Sequence, residues 1–378
     1  MFKYFPENYM WSLSFLRCLN SGGLLGEMDR AGSLLMEASR KPPSGDLESW
    51  HEEWFNLGKQ VGELGEGALQ KGKEVTARSS YYRAAQYYQW AEAFLPKGDP
   101  RKKATYHKHL DCFHQAIRLT PWPVEIIEIR YENGSLPAYF IAAKSGTKRP
   151  NPAVVYFCGL DSVKEEIFYG GMALAERGIS CLVVDGPGQG ETLKLRGIIS
   201  RPDYEIPASA AYEYLAARPE ADPKRIGIMA ISLGGYYAPR AVSFEKRFSA
   251  CVAWGAIYDY REAWLRRLNI TPGAPIASPT HHLFDVLGVE NWEHALDRLK
   301  SYSLRGIAKQ IDCDFLIVHG EQDKNIPLAD AQALYEEVGS KRKEIKIYTE
   351  AEGGAEHCQI DCPLPALGYI ADWLSEHL

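Results

Sequence analysis

The sequence predicts an α/β fold in which a mostly parallel sheet carries helices on both faces and follows a helical N-terminal domain. From residue 124 onwards, apolar strand-like runs alternate with helical segments, as they do when both faces of a parallel sheet are buried. Before residue 122, apolar residues instead recur with a period close to 3.6, which is typical of helices. The 378 residues, 46% of them hydrophobic, suffice for one large domain or two ordinary ones.

Three helices are predicted in the N-terminal domain, which we place at residues 1–122. They span residues 46–69, 76–95 and 101–119. Ser44 and Asp46 are candidate caps of the first helix, and Pro121 with Pro123 stops the third. Two consecutive helices rich in alanine and aromatic residues are similar to one tetratricopeptide unit. Because one unit cannot form a solenoid, we expect a helical cap.

The second domain, residues 123–378, is predicted to begin with a β-hairpin at one edge of the sheet. Its strands, residues 124–132 and 136–143, flank Asn133-Gly134, which is a strong hairpin signal. Six apolar strands follow, at residues 153–157, 181–185, 225–230, 250–254, 314–318 and 344–349. Helices are predicted at residues 164–177, 204–217, from about 234, and 363–378.

One segment, residues 258–310, is far longer than an ordinary connection between two core strands. It contains a loop at residues 271–279 and a helical stretch around residues 292–302. Long insertions at this position are typical of lids that cover an active site, so we expect a lid here.

Ser232 is the candidate nucleophile because it stands between a predicted strand and a predicted helix. The run Ala230-Ile231-Ser232-Leu233-Gly234-Gly235 has the context of a nucleophile elbow, in which small residues let the strand and the helix approach each other. The common pattern is G-x-S-x-G, and this chain has Ala230 in the first place. A serine in such a turn also serves as an ordinary helix N-cap.

A serine nucleophile needs a base, and the base needs an acid that orients it. Asp323 follows strand 314–318 in the run HGEQDKNIP, and His357 follows strand 344–349 in a glycine-rich loop. Both lie beyond the carboxyl ends of strands, where the sites of parallel sheets lie, and the order Ser, Asp, His is the expected one. Glu321 is the alternative acid, and we prefer Asp323 because it lies deeper in the loop.

Two backbone N–H groups are expected to form an oxyanion hole. One belongs to Leu233, directly after the nucleophile, and the other to Leu160, in the loop CGLDSVKEE after strand 153–157. The glycine-rich run DGPGQGE at residues 185–191 lacks the lysine of a phosphate-binding loop. We interpret that run as a structural turn that borders the site.

Together, these motifs resemble the α/β-hydrolase superfamily: D-G-P-G-Q-G, A-I-S-L-G-G, H-G-E-x-D and the late G-x-E-H, within residues 124–378. The N-terminal helices, with segments such as RSSYYRAAQYYQWAEAFLP and GLDSVKEE, resemble a subgroup that has a helical N-terminal domain. That subgroup includes dihydroxypseudooxynicotine hydrolase and fungal polyketide-shortening hydrolases. Two positions depart from the family pattern: Cys158 stands where the family often has glycine, and Ala230 replaces a glycine. Neither residue belongs to the triad.

The resemblance implies an enzyme that cleaves a carbon–carbon bond beside a ketone in an aromatic or polyketide-derived molecule, without a cofactor and often as a dimer. It also implies an acid near the leaving group, for which Glu262 is the candidate and Asp259 a weaker alternative. The plain interpretation of Glu262 is a solvated lid carboxylate. Tyr82, Asp161 and Tyr236 are the expected substrate-binding residues, although aromatic side chains at helical spacing more often pack in a core.

Other classes of function are disfavoured by charge and composition. The net charge of −6 argues against nucleic acid as a partner. The chain shows neither a signal peptide nor an apolar stretch of roughly 18 residues, so we expect a cytoplasmic protein that acts away from membranes. Its eight cysteines are expected to be reduced thiols. Neither His281-His282 nor Cys358 with Cys362 has further ligands at zinc spacing, so we expect no metal. The expected partners are a small-molecule substrate and a second copy of the chain.

Two alternatives remain open from the sequence. A carboxylesterase, a lactonase or an acyl-transferring cyclase would use the same triad on an ester. A ligand-binding receptor on a hydrolase scaffold is disfavoured because the triad is intact.

Overall fold

The computed structural model describes residues 1–144, 150–270 and 279–378. They form two compact units. The first comprises Met1–Pro123 with the described part of a short segment ending at His282, and the second holds the remainder. The predicted loop at residues 271–279 lies, apart from Pro279, outside the described residues.

The first unit contains five α-helices before the sheet begins: α1 Tyr9–Asn20, α2 Leu25–Leu34, α3 Leu47–Gln70, α4 Glu74–Ala93 and α5 Pro100–Arg118. The last three match the predicted helices closely, whereas α1 and α2 were not predicted. The Asn8 side chain caps α1 by accepting a hydrogen bond from the Trp11 N–H at 3.0 Å. That asparagine was the available signal for the missed start of α1.

Aromatic side chains fill the core of the first unit. Trp50, Trp54 and Val61 of α3 are buried, as the predicted period requires. The helices α3 and α4 approach closely because α3 has glycines opposite tyrosines. A Cβ atom on Gly58 would lie 3.0 Å from the Tyr88 ring. Burial of each such large apolar side chain contributes roughly 1.5–3 kcal/mol.

The second unit is the α/β part of the chain. Among the described residues its sheet has eight strands: β1 Val124–Tyr131, β2 Gly134–Ile141, β3 Asn151–Phe157, β4 Ser180–Val184, β5 Ala221–Ile231, β6 Ala250–Trp254, β7 Asp314–Gly320 and β8 Lys343–Tyr348. The helices of this region are α6 Lys164–Glu176, α7 Gly190–Lys194, α8 Glu205–Ala216, α9 Gly234–Phe244, α10 Tyr260–Ile270, α11 Thr280–Leu287, α12 Trp292–Leu299, α13 Leu328–Glu337 and α14 Pro363–His377.

The strands are ordered β1-β2-β4-β3-β5-β6-β7-β8, and all pairs from β4 to β8 are parallel. Every residue of β4, β6 and β7 is buried, because helices cover both faces of the sheet. The carboxyl ends of β3, β5, β7 and β8 therefore lie along one edge, and the loops that follow them carry the candidate site.

The β1–β2 hairpin differs from the prediction by its turn. Tyr131 pairs with Gly134, so the two-residue loop is Glu132-Asn133 and not Asn133-Gly134. Glu132 adopts a positive φ of 47° in this turn. The asparagine–glycine pair indicated the hairpin correctly, but the register of the flanking strands moved the turn by one residue.

The predicted lid region contains α10, α11 and α12 among its described residues. An isolated bridge between Asp259 and Ser303 ties its two ends together. The helix α10, which carries Glu262, was not predicted as a separate element.

Candidate active site

Ser232 stands at a strained turn between β5 and α9. Its φ of 61° is in the left-handed region, which costs a residue other than glycine roughly 1–3 kcal/mol. Two backbone hydrogen bonds hold this conformation: the Ser232 N–H donates to the Trp254 carbonyl at 2.8 Å, and the Gly235 N–H donates to the Ser232 carbonyl at 2.7 Å. The turn presents the Ser232 hydroxyl at the carboxyl edge of the sheet, as a nucleophile elbow requires.

Small residues on both sides of Ser232 make this turn possible. A Cβ atom on Gly234 would lie 2.5 Å from the Ala230 Cβ, so only one of the two positions can carry a methyl group. A Cβ on Gly235 would collide with the Gly255 carbonyl oxygen at the end of β6. Ala230 is therefore compatible with the elbow because Gly234 leaves space for it.

The structure brings Ser232, His357 and Asp323 together. The Ser232 Oγ lies 2.8 Å from the His357 Nε2, and the His357 Nδ1 lies 2.7 Å from the Asp323 Oδ2. Only 12% of the His357 side chain is exposed, and the Asp323 side chain is fully buried. These distances allow the imidazole to take a proton from the hydroxyl while the carboxylate holds the opposite ring nitrogen.

The loop after β7 fixes the orientation of the Asp323 carboxylate. The N–H groups of Asn325 and Ile326 both donate to the Asp323 Oδ1 at 2.8 Å, which leaves Oδ2 for the imidazole. Burial alone would raise the pKa of Asp323. The positive charge of His357 and these hydrogen bonds outweigh burial and lower that pKa, so the carboxylate stays ionised.

The environment of His357 favours its protonated form. Burial alone would lower the pKa of His357, but the Asp323 carboxylate and the Cys358 sulfur outweigh burial and raise that pKa. The Cys358 Sγ lies 3.4 Å from the same Nε2 atom that faces Ser232. Both Cys358 and Gln359 have positive φ values, so the backbone directly after the base is strained as well.

The loop after β3 contacts the nucleophile at the place expected of an oxyanion hole. A Cβ atom on Gly159 would lie 2.8 Å from the Ser232 Cβ, so only glycine permits this approach. The Gly159 N–H donates to the Ser162 Oγ at 2.7 Å, and the next N–H along the loop belongs to Leu160. Leu160 thus follows the glycine that approaches Ser232, and Leu233 directly follows Ser232 in the elbow.

Comparison with known proteins agrees with this architecture. Residues 47–262 match the family model described as esterase FrsA-like, and residues 170–360 match that of the prolyl oligopeptidase family. Each match spans more than half of the chain. The chain belongs to these α/β-hydrolase families. The predicted fold class and the predicted superfamily are confirmed, and so is the expectation that the protein is a hydrolase.

Relatives that align with nearly the whole of this α/β-hydrolase are also named hydrolases. Hydrolase acrC of Aspergillus aculeatus is 28% identical, covering 95% of this chain and 94% of its own length. The 2,6-dihydropseudooxynicotine hydrolase of Paenarthrobacter nicotinovorans is 27% identical, covering 99% of this chain and 93% of its own. The crystal structure of a 2,6-dihydroxy-pseudo-oxynicotine hydrolase superposes with a TM-score of 0.79 at 26% identity, over 96% of this chain and 95% of that chain.

The alternative acid of the hydrolase, Glu321, takes another role. Its side chain is exposed and accepts a hydrogen bond from the Glu350 N–H at 2.6 Å. Asp323, two residues later, is the carboxylate beside His357.

The structure does not join Glu262 to the triad by any hydrogen bond among the described residues. Glu262 lies in the first turn of α10, its side chain is 45% exposed, and its carboxylate lies 3.6 Å from the Arg261 guanidinium. Asp259 caps the same turn by accepting from the Glu262 N–H at 3.1 Å and also pairs with Arg305. This geometry is that of a partly solvated carboxylate at a helix start.

The three expected substrate-binding residues of the hydrolase have different surroundings. Tyr82 belongs to the first unit, where its ring lies 5.5 Å from that of Phe113. Asp161 is half-buried in the loop after β3 and adds to the negative charge near Tyr260. Tyr236 is fully buried, and its hydroxyl donates to the carbonyls of two distant residues at 2.7 and 3.2 Å. Its polar group is thus already occupied by the fold.

Sequence reasoning considered Cys358 only as a metal ligand and missed its contact with the base, which it directly follows. The available signal was its position next to His357 in the run EHC. Among the described residues, no group of three His, Cys, Asp or Glu side chains is arranged to hold a metal ion. In the same part of the chain, none of the helices has the length and apolar character that a membrane crossing needs.

Proposed function

We propose that this protein cleaves a carbon–carbon bond adjacent to a ketone in a small aromatic or polyketide-derived molecule, through an acyl-enzyme on Ser232. The observation that carries the proposal is the continuous chain of contacts from the Ser232 hydroxyl through His357 to Asp323. Similarity along nearly the whole chain to a 2,6-dihydropseudooxynicotine hydrolase supports the choice of bond.

The first step forms the acyl-enzyme. His357 takes the Ser232 proton as the oxygen attacks the ketone carbonyl, and the carbonyl oxygen becomes an oxyanion. The N–H groups of Leu160 and Leu233 stabilise that charge, and each such donor typically contributes about 2.7–4 kcal/mol to the transition state. The buried Asp323 carboxylate stabilises the imidazolium that results.

Collapse of the tetrahedral intermediate then breaks the carbon–carbon bond, and the electron pair leaves on carbon. The leaving carbanion must be delocalised, as it is for a β-diketone or an acyl-substituted hydroxyarene. The imidazolium of His357 returns its proton to that carbon. Water, deprotonated by the same imidazole, hydrolyses the acyl-enzyme and releases a carboxylic acid. In this proposal Glu262 assists protonation of the leaving group, and no cofactor takes part.

An esterase, lactonase or acyl-transferring cyclase is the second candidate. The match of residues 47–262 to the esterase FrsA-like model favours it. The half-exposed position of Glu262 favours it too, because an alcohol leaving group requires no additional acid beyond the imidazolium.

Product analysis separates the two candidates. The protein is incubated with a panel of β-diketones and acyl-substituted hydroxyarenes, beside aryl esters of the same acyl groups, in water enriched in oxygen-18. Hydrolysis of the acyl-enzyme labels the carboxylic acid in both cases, so the second product decides. Carbon–carbon cleavage releases a carbon acid, whereas cleavage of an aryl ester releases a phenol. The proposal expects the ketones to be turned over with higher kcat/KM. Turnover of the esters alone would favour the esterase.

The variant Ser232→Ala is the control for both candidates. From other serine triads, we expect its kcat to fall by on the order of 10⁶. Turnover equal to that of the unmodified protein would contradict any mechanism through Ser232.

The proposal further includes a cytoplasmic location and a homodimer, by resemblance to the subgroup. Size-exclusion chromatography with light scattering tests the dimer.

A further inference from the structure

A buried hydrogen-bond network lies directly behind residues 158–163, which we call the oxyanion loop. This loop follows β3, and the turn at residues 185–191 follows β4, the parallel neighbour of β3. Because the two strands end at the same edge of the sheet, the loop and the turn meet there. The turn was interpreted from the sequence only as a structural element that borders the site.

Gln189 joins the turn to the first residue of the oxyanion loop. Its Nε2 donates to the Cys158 carbonyl at 2.6 Å, and its Oε1 accepts from the Gly186 N–H at 2.8 Å. Only 1% of Gln189 is exposed. The Gly186 N–H requires an acceptor, so the amide has one orientation, with its NH₂ group towards Cys158.

Asp185 holds the other end of the loop. Its Oδ1 accepts from the Lys164 N–H at 2.8 Å, where α6 begins directly after the loop. Its Oδ2 accepts from the Glu191 N–H at 2.9 Å and lies 3.1 Å from the Lys164 Nζ. One carboxylate therefore links the turn to Lys164, the residue that directly follows the oxyanion loop.

Lys164 offsets part of the negative charge in this buried region. Only 1% of its side chain is exposed, and its ammonium lies 2.8 Å from Glu165, 3.1 Å from Asp185 and 3.2 Å from Glu191. A buried charge is costly unless it is paired and hydrogen-bonded, so these contacts have to be maintained together. The result is a rigid support for Asp185.

The oxyanion loop contacts the nucleophile between its two anchored ends. A Cβ atom on Gly159 would lie 2.8 Å from the Ser232 Cβ, and a Cβ on Gly234 would lie 3.0 Å from the Cys158 carbonyl oxygen. Leu160, the expected donor, is two residues beyond that carbonyl. An oxyanion donor works only within about 2.7–3.1 Å of the developing charge, so a small shift of Cys158 would displace the Leu160 N–H from its useful position.

We propose that Gln189 and Asp185 are positioning residues that hold the oxyanion loop at both ends and so fix the Leu160 N–H relative to Ser232. The proposal rests on the function proposed above, because it assumes an oxyanion hole beside a nucleophilic Ser232. It assigns to the DGPGQGE turn a role in transition-state stabilisation.

The test replaces the amide of Gln189 and compares the result with a matched change at Thr192, which lies in α7 directly after the turn. Gln189→Met removes both hydrogen bonds at similar size, and Gln189→Glu keeps the acceptor for Gly186 but turns an acceptor towards the Cys158 carbonyl. Thr192→Val is the control. The Thr192 hydroxyl is fully buried and donates to the Asp185 carbonyl at 2.5 Å, with no bond to the oxyanion loop.

Four quantities are measured for each variant. They are kcat and KM for p-nitrophenyl acetate, the inhibition constant of phenylboronic acid, which forms a tetrahedral adduct with serine, and the rate of Ser232 phosphonylation by a fluorophosphonate. We expect Gln189→Met to lower kcat, boronate affinity and phosphonylation by roughly 10–100-fold each, with KM changing less than about threefold. Gln189→Glu should lower kcat, boronate affinity and the phosphonylation rate more strongly, and Thr192→Val should lower each by less than about threefold. Circular dichroism checks that each variant is folded. If Gln189→Met does not fold, the test is made with Gln189→Glu.

Equal losses in Gln189→Met and Thr192→Val would overturn the proposal, because a general weakening of the turn would then explain both. A loss of kcat without a loss of boronate affinity would also overturn it. Failure of the proposed function has a different result: the unmodified protein itself would not be phosphonylated at Ser232. Normal labelling of the unmodified protein together with normal labelling of Gln189→Met contradicts the role of Gln189 alone.

Discussion

The Asp323→Asn variant should remain folded but lose activity, because the substitution changes which ring nitrogen of His357 carries the proton. The Asp323 Oδ1 accepts from two backbone N–H groups at 2.8 Å, those of Asn325 and Ile326. In the variant the amide oxygen must take this position, because an NH₂ group cannot accept these bonds. The NH₂ group then faces the His357 Nδ1, which has to become an acceptor. The ring proton moves to Nε2, and Nε2 can no longer take the proton of Ser232.

The magnitude follows from this wrong tautomer. The same exchange in a serine protease triad lowers kcat by about 10⁴, which corresponds to roughly 5.4 kcal/mol of activation free energy. We expect a loss of this order for p-nitrophenyl acetate, measured as kcat at pH 7.5. The melting temperature should fall only slightly, since the amide preserves the shape of the side chain and both bonds to Oδ1.

Glu321→Gln is the matched control, because it makes the same chemical change two residues away. The Glu321 side chain is exposed and bonds only the Glu350 N–H among the described contacts, so its kcat should stay within about twofold of normal. A loss of less than tenfold in Asp323→Asn, or equal losses in the two variants, would refute the assignment of Asp323 as the orienting acid.

Three further predictions concern the base, the elbow and the helical unit. Activity needs neutral His357, and Asp323 and Cys358 raise the pKa of this imidazole, so kcat/KM should fall as the pH drops through a value above the ordinary 6.5. Cys358→Ala should move this acidic limb of the pH–rate profile to lower pH. An unmoved limb would contradict the influence of the sulfur on the base. Gly234→Ala places a methyl group 2.5 Å from the Ala230 Cβ and should lower the free energy of unfolding by about 1–3 kcal/mol in urea titration, with smaller losses expected if Ala230 is changed to glycine as well. Trp54→Ala empties a fully buried position in the first unit and should cost about 3–5 kcal/mol of unfolding free energy, whereas a cost below 1 kcal/mol would contradict the described core.

Much of the catalytic architecture was predictable because it depends on local patterns. The continuous apolar runs at β4, β6 and β7 predicted buried parallel strands, and every residue of these strands is buried. Parallel strands bring their carboxyl ends to one edge, so the order of loops was enough to place Ser232, Asp323 and His357 near one another. The contacts among the three side chains follow from this topology.

The remainder depends on partners far apart in the chain. Tyr236 was expected to bind substrate, yet its hydroxyl donates to carbonyls 34 and 65 residues away, and no local pattern indicates such partners. The contact between Gln189 and Cys158 spans 31 residues and depends on how two loops pack at the sheet edge. The helices α1 and α2 were not predicted, although the Asn8 side chain caps the first of them.

The most direct test of the central claim is to trap the acyl-enzyme. The protein is mixed with p-nitrophenyl acetate, quenched in acid within seconds, digested and analysed by peptide mass spectrometry. The variant His357→Ala is treated in the same way for comparison. We expect an acetyl group on Ser232 in the unmodified protein and almost none in the variant. Continued turnover with the acetyl group on another residue, for example Cys358, or with Ser232 never modified, would contradict it.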